Sequence, residues 1–128
     1  MKYILMFAGT MDEQSQYDNM TQEERMAAYA RVNDWFQGLY KAGKIVSAEE
    51  LRGPDTATTV SFKNGKPIVT DGPFIEAKEV IGGFAVVDVA DLDEALALAK
   101  TWPAGSAVEV RPVVEHRSDG SDTDHSDT

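Results

Sequence analysis

Asp71-Gly72-Pro73-Phe74-Ile75-Glu76-Ala77-Lys78-Glu79 is a turn followed at once by alternating charges. Asp and Gly favour a tight turn, while the ring of Pro73 fixes its own φ and biases Gly72 away from helical geometry. Phe74 can anchor the turn against a core. Glu76 and Lys78 fall on one side of an extended segment, because side chains of a strand alternate between its faces. We interpret residues 71–79, hereafter the signature segment, as the connection between a hairpin and a core strand.

The rest of the chain alternates strand and helix patterns. Residues 2–8 carry apolar side chains on both faces of a strand, so we expect both faces to be covered. Thr21 and Glu24 have the spacing of a capping box and start a long amphipathic helix that Gly43 ends. The other predicted elements are strands at residues 45–51, 58–62 and 67–70, an Asn64-Gly65 hairpin turn, a strand at 81–89, a helix at 91–102 and a final strand at 107–115.

This order of elements predicts a ferredoxin-like α+β fold, βαββαβ with an inserted β-hairpin, in which two helices cover one face of an antiparallel sheet. The other face is then open. On the last strand Val108, Val110, Pro112 and Val114 would face the helices, and Ala107, Glu109, Arg111 and Val113 would lie on the open side. Because the first and fourth strands also place apolar groups there, we predict a homodimer that buries this face symmetrically.

Composition narrows the classes of function. The chain of 128 residues fits one domain, predicted at residues 1–116, and with no cysteine it has neither disulfides nor a thiolate nucleophile. A net charge of -10 and scattered Lys and Arg residues argue against nucleic acid as a partner. Residues 1–7 are too short for a signal peptide or a membrane span, so we expect a cytoplasmic protein without a membrane partner. Residues 117–128 are interpreted as an acidic disordered tail, since they contain no apolar residue that could offset the entropy of ordering.

The signature segment resembles that of the DGPF-type proteins of the YCII-related family, whose common form reads Asp-Gly-Pro-Phe-Ala-Glu-Thr-Lys-Glu. Ile75 and Ala77 replace the usual Ala and Thr. The resemblance covers residues 1–115, and the closing Val108-Glu109-Val110-Arg111-Pro112-Val113 is also similar to the family's final strand. It implies a dimeric α+β barrel with clefts where sheet edges, hairpin and first helix meet.

The same resemblance draws attention to two positions. Many YCII-related proteins carry a histidine on the first helix that looks like a general acid or base, and its place is taken here by Val32. Others carry an Asp-Pro near the end of the second helix, where this chain reads Thr101-Trp102-Pro103. Both supposed acid-base partners are therefore replaced, which weakens the case for the family's implied chemistry.

Candidate catalytic residues lie in the signature segment. Asp71 could serve as an acid, a base or a hydrogen-bond acceptor, or it could cap its own turn. Glu76 and Glu79 could move a proton while Lys78 holds an anionic group of a ligand. The alternative for these charges is a solvated edge segment with one surface ion pair. Phe74 is a candidate ligand contact beside them.

Other candidate ligand-binding residues lie elsewhere in the chain. Arg111 is the best-placed cation for a carboxylate ligand, although a structural ion pair with Glu109 or with a partner chain is the plainer use. Tyr29 and Asn33 lie one helical turn apart and could point into a cleft, or Tyr29 could pack while Asn33 lies at the edge of the apolar stripe. The aromatic side chains Trp35, Phe84 and Trp102 are expected to pack in the core or an interface. No metal site and no cofactor is expected, since His116 has no carboxylate or histidine at metal-ligand spacing and His125 lies in the predicted tail.

These residues support hypotheses from different classes. The first is a homodimer that binds a small organic molecule, with an anionic group as one option, near residues 71–79. In this hypothesis Asp71 with Glu76 or Glu79 transfers a proton, as in a lyase or isomerase that needs no cofactor. The second is a non-catalytic module that senses a ligand. The third is an interaction protein, since DGPF-type proteins resemble products encoded beside alternative sigma factors. The sequence leaves open whether the protein is an enzyme.

Overall fold

The computed structural model describes residues 1–74, 79–105, 107–116 and 122–123, and it has an α+β fold with mostly antiparallel sheets. The helices are α1 (Met11–Asp18), α2 (Gln22–Lys41) and α3 (Leu92–Ala99), and a short 3-10 turn spans Pro54–Thr56. The strands are β1 (Lys2–Thr10), β2 (Ile45–Glu50), β3 (Thr58–Lys63), β4 (Lys66–Asp71), β5 (Glu79–Asp88), β6 (Ala107–Pro112), β7 (Glu115–His116) and β8 (Asp122–Thr123).

Four strands form the central sheet in the order β2-β5-β1-β6, and every neighbouring pair is antiparallel. The register is set by rows of paired residues: Tyr3 lies opposite Val87 and Pro112, and Leu5 lies opposite Ala85 and Val110. Paired residues point to the same side of an antiparallel sheet. The sequence pattern of β1 therefore fixes two opposite faces for the whole sheet.

The inner face carries the core. Tyr3, Leu5, Ala85 and Val87 are fully buried there, and Phe7 is 7% exposed. Burying a side chain such as Leu5 contributes about 1.5–3 kcal/mol to stability. Partly buried side chains of α2, α3 and β6 pack against this cluster, among them Phe36, Leu92, Leu98, Val108 and Val110. The prediction that Val108 and Val110 face the helices is confirmed.

Aromatic rings fill the space between β1, α2 and the end of α3. Phe7 stacks on Trp102 with ring centroids 4.0 Å apart, and it meets Trp35 and Phe36 edge to face at 5.8 and 6.0 Å. The indole Nε1 of Trp35 donates a hydrogen bond to Thr101 Oγ1 at 2.7 Å. The expected packing role of Trp35 and Trp102 is thus confirmed.

The opposite face of the sheet, hereafter the open face, carries Ile4, Met6, Phe84 and Val86, each partly exposed in one chain. Arg111 lies opposite Ile4, and Glu109 lies opposite Met6, so both charges stand on this face at its β6 edge. The prediction that Glu109 and Arg111 lie on the open side is confirmed. Val114, predicted to face the helices, is instead 55% exposed because β6 ends at Pro112.

Both predicted helices are present. Thr21 accepts a hydrogen bond from the backbone N–H of Glu24, and the Glu24 side chain accepts one from the backbone N–H of Thr21, which completes the capping box of α2. α3 begins after Asp91, whose side chain accepts from the N–H of Glu94. It is shorter than predicted, because Thr101 and Trp102 continue only as tight turns closed by the carbonyls of Leu98 and Ala99.

α1 was not predicted from the sequence. Its residues, MDEQSQYD, have no apolar stripe, so periodicity gives no signal. The helix starts because Thr10 accepts a hydrogen bond from the N–H of Glu13 at 3.0 Å. No helix in the described part of the chain is both long and apolar enough to cross a membrane.

β3 and β4 form a separate two-stranded sheet, as the Asn64-Gly65 turn predicts. Both turn residues have positive φ, 53° and 76°, which is the requirement of a type I′ turn. Val60, Phe62 and Val69 lie on one face of this hairpin and are 53, 73 and 67% exposed. The hairpin therefore presents an apolar face that the described part of the chain leaves in solvent.

The final strand also differs from the prediction. Residues 107–115 were expected as one strand, but β6 ends at Pro112 and the short β7 follows. β7 pairs with β8, so Asp122 and Thr123, within the predicted tail, form a short antiparallel bridge to residues 115–116. The rest of residues 117–128 lies outside the described residues.

Candidate functional site

The signature segment joins the hairpin to the central sheet. Asp71 ends β4 opposite Thr58, and Glu79 begins β5 opposite Thr10. Gly72 ties the turn to the hairpin base, since its N–H donates to the Ala57 carbonyl at 2.8 Å and its carbonyl accepts from Thr59 Oγ1 at 2.7 Å. Ile75, Glu76, Ala77 and Lys78, including two of the candidate site residues, lie outside the described residues.

Asp71 and Phe74 are both exposed. Phe74 is 77% exposed, so the prediction that it anchors the turn against the core of its own chain is wrong. The carboxylate of Asp71 makes no hydrogen bond within the described residues, so the predicted capping of its own turn is not seen there. Both side chains are available for contacts outside this chain.

Three strands of the central sheet begin or end on the side of the sheet where the signature segment enters. β1 and β2 end there, and β5 begins there, with Glu50 of β2 opposite Gly83 of β5. A side chain at Gly83 would place its Cβ 2.8 Å from the Glu49 carbonyl, so the glycine permits the close approach of β2 to β5. The N–H of Leu51 continues the pairing to the Gly82 carbonyl at 2.8 Å.

A cluster of Tyr17, Tyr29 and Glu50, hereafter the tyrosine cluster, lies at this end. Tyr29 Oη donates to Glu50 Oε1 at 3.4 Å, and the rings of Tyr17 and Tyr29 meet edge to face with centroids 6.2 Å apart. The three residues come from α1, α2 and β2. Tyr29 remains 53% exposed, so the cluster is open to solvent or to a ligand.

The cluster favours the neutral phenol of Tyr29. The hydrogen bond with Tyr17, followed by the negative charge of Glu50, raises the pKa of Tyr29 to about 12. At neutral pH the hydroxyl is protonated and donates its one hydrogen to Glu50, and its oxygen can still accept a hydrogen bond. The carboxylate of Glu50 has further acceptor capacity, because an ionised carboxylate can accept about four hydrogen bonds.

The remaining predicted ligand contacts are not brought together within one chain. Asn33 is exposed one turn after Tyr29 and makes no hydrogen bond within the described residues. Tyr29 meets Glu50 at the β2 edge, whereas Arg111 is on β6 at the other edge, three strand spacings or roughly 14 Å away. No ion pair within 4.0 Å joins Glu109 to Arg111 in the part of the chain that the structure describes.

The positions singled out by the resemblance lie beside the aromatic cluster. Val32 is one turn before Trp35 on α2, and Trp35 is hydrogen-bonded to Thr101. The segment after α3 therefore contacts α2 one turn after Val32, where the rings of Trp35 and Trp102 pack with centroids 5.0 Å apart.

Two residues of the tyrosine cluster were missed by sequence reasoning. Tyr17 lies on the unpredicted α1, and Glu50 reads as an ordinary charge at the end of a strand. The spacing of Thr10 and Glu13, equal to that of Thr21 and Glu24, was the available signal for α1. Within the described ranges no group of three His, Asp or Glu side chains is arranged to hold a metal ion.

Comparison with known proteins identifies a family for this chain. The family model of the YCII-related domain matches residues 1–117. An uncharacterized protein of Rhizobium meliloti (strain 1021) is 38% identical over 81 residues, which cover 60% of this chain and 65% of that protein. The matched stretch thus spans somewhat less than two thirds of the relative. With the family model covering nearly the whole length, the chain belongs to the YCII-related domain family.

Proposed function

We propose that the protein is a cytoplasmic homodimer that binds a small organic molecule, with an anionic group as one option, near residues 71–79. The observation that carries the proposal is the tyrosine cluster, in which three elements bring Tyr17, Tyr29 and Glu50 to the sheet end that receives the signature segment. A protonated phenol beside partly open aromatic rings can orient a polar ligand.

The dimer is supported by the open face. Ile4, Met6, Phe84 and Val86 form a continuous apolar row in the middle of the sheet, and the charged residues of this face lie on the edge strands (Glu49, Glu109, Arg111) or at the end of the row (Lys2, Asp88). Such a face is complementary to itself and can pack against a second copy. The strand order β2-β5-β1-β6 with helices on the inner face is compatible with a ferredoxin-like protomer and a dimeric α+β barrel of DGPF type.

In the enzymatic form of the proposal, a lyase or isomerase acts without a cofactor. Asp71, Glu76 and Glu79 are the groups that would move a proton, and Lys78 with Arg111 would hold the anionic part of the substrate. Phe74 would contact its apolar part. Because Asp71 is exposed in one chain, proton transfer requires a second copy or the ligand to desolvate it.

A thermal-shift screen of metabolites and aromatic acids tests the binding proposal. We expect a compound that stabilises the native protein and loses its effect in Asp71→Asn and Lys78→Met. Asp55→Asn and Lys41→Met serve as matched controls, since both residues are exposed and lie outside the signature segment. Equal stabilisation of all variants would place the ligand away from the signature segment, and no shift with any compound would contradict the proposal.

A regulatory or interaction role, without catalysis, is the alternative. The exposed apolar face of the hairpin favours it, because Val60, Phe62 and Val69 together form a surface that a protein partner could cover. An association with alternative sigma-factor signalling belongs to this alternative. It predicts that Phe62→Ser abolishes binding to a purified sigma factor and leaves ligand-induced thermal shifts unchanged.

A further inference from the structure

A second candidate binding site lies on the inner side of the sheet at its β6 edge, away from the signature segment. α3 and β6 leave a pocket of about 280 Å³ between them, lined in part by Leu96, Ala99, Trp102, Val108 and Val110. This volume is close to the lower end of the range found for small-molecule sites, ~300–1,000 Å³. We call this pocket the α3–β6 pocket.

The pocket exists because of small residues at fixed places. Ala99 fills little space at the end of α3, and Gly105 forms part of the wall. Gly105 has a φ of +81°, and a Cβ there would lie 3.1 Å from the Ala8 carbonyl oxygen and 3.4 Å from Trp102 Nε1. Both the backbone conformation and the neighbouring atoms require glycine, so this wall stays without a side chain.

One charged side chain stands among these apolar walls. Lys100 follows the last residue of α3, is exposed and lines the pocket. Within the described residues it has no carboxylate within 4.0 Å, although the chain has 22 acidic and 12 basic side chains. An unpaired ammonium beside an apolar pocket is a natural partner for a carboxylate attached to an apolar body.

We propose that the α3–β6 pocket binds a small organic acid with an aromatic or branched aliphatic body, which packs against Trp102, Val108 and Val110 while its carboxylate pairs with Lys100. The site is separate from the one near residues 71–79. It requires no second copy of the chain, because α3, β6 and the turn before β6 belong to one protomer.

Calorimetric titration with phenylacetate and its neutral counterpart phenylacetamide tests this site. We expect phenylacetate to bind the native protein and to bind Lys100→Met roughly tenfold more weakly, the loss of one charge-assisted contact. Phenylacetamide should bind both proteins equally. Lys41→Met removes an exposed lysine from the end of α2 and should leave both affinities unchanged.

A second variant and a spectroscopic signal locate the ligand. Ala99→Leu narrows the pocket and should weaken both compounds, and in a Trp35→Phe background the fluorescence of Trp102 should change on binding, since the chain then holds one tryptophan. The proposal is overturned if phenylacetate fails to bind at millimolar concentration or binds Lys100→Met as tightly as the native protein. Binding that is lost in Asp71→Asn but kept in Lys100→Met would overturn it too, while supporting the site near residues 71–79.

Discussion

At the scale of single residues, Tyr3 places a polar hydroxyl group in the apolar core. Its side chain is fully buried, and its hydroxyl has no hydrogen-bond partner among the described residues. A buried polar group without a partner costs about 1–3 kcal/mol relative to a hydrogen-bonded one. Tyr3 therefore contributes a large apolar ring together with an uncompensated hydroxyl.

Tyr3→Phe should retain the stability of the native protein or raise it by up to about 1–3 kcal/mol, because the ring is kept and the unpaired hydroxyl is removed. Urea denaturation measures the change. Leu5→Ala, at another fully buried position of the same strand, should instead cost about 2–5 kcal/mol. A marked loss of stability in Tyr3→Phe would mean that the hydroxyl has a partner in the folded protein.

The tyrosine cluster makes a prediction about pH. The pKa of Tyr29 is raised from 10.0 to about 12, so the neutral phenol is favoured in the folded state. Its stabilising effect is complete below pH 10 and is lost as the pH rises towards 12. Ultraviolet titration of tyrosinate should show a late ionisation that disappears in Tyr29→Phe.

The same titration ranks the causes of the shift. Tyr17→Phe should bring the pKa of Tyr29 down further than Glu50→Gln does, because the hydrogen bond with Tyr17 is the larger cause. Tyr40→Phe, a change at an exposed tyrosine at the other end of α2, should leave the late step in place. A late step that survives Tyr17→Phe and Glu50→Gln unchanged would contradict the geometry of the cluster.

At the scale of elements, the capping box of α2 is the most direct link between sequence and structure. Thr21→Ala removes the acceptor for the N–H of Glu24 and should destabilise the protein by about 1 kcal/mol in urea denaturation. Thr21→Ser keeps an oxygen at that place and should cost less. Equal losses in the two variants would show that the hydroxyl is not the source of the effect.

The sequence predicts most elements because their apolar patterns are strong. β1 and β5 are nearly continuous apolar runs, α2 has apolar positions at helical spacing, and the Asn64-Gly65 turn fixes the hairpin. α1 was not predicted because all but two of its residues are polar or charged. The end of α3 was predicted too late in the chain, because Thr101 and Trp102 form turns without helical hydrogen bonds. An apolar sequence pattern identifies buried faces, but it gives no signal for a helix that buries few side chains.

The candidate site was less predictable for a related reason. Tyr29 was selected from its place on α2, but its partners Tyr17 and Glu50 are 12 and 21 residues away and meet it only in the folded chain. Local spacing cannot show such a contact. Asp71 and Phe74 were predicted as a turn, and the turn is present, while the exposure of Phe74 depends on the absence of any covering element in the described chain.

At the scale of the whole molecule, the proposed dimer depends on the open face. Phe84→Asp places a charge in the middle of the apolar row, and we expect it to convert a dimer into a monomer in analytical ultracentrifugation. Tyr40→Asp makes the matched change on the exposed surface of α2 and should leave the dimer intact. If the native protein sediments as a monomer at micromolar concentration, the shared barrel is wrong.

The hairpin also bears on the behaviour of the protein in concentrated solution. Its strands pair with no other strand in the described chain, so each has a free edge, and its apolar face is exposed. Free edges of this kind template stacking between molecules into fibrils. Lys63 and Lys66 lie opposite each other at the tip, where like charges weaken the pair slightly but repel a neighbouring copy. We therefore expect the charges of these two lysines to oppose aggregation. Replacing both with uncharged residues should favour fibril formation over folding.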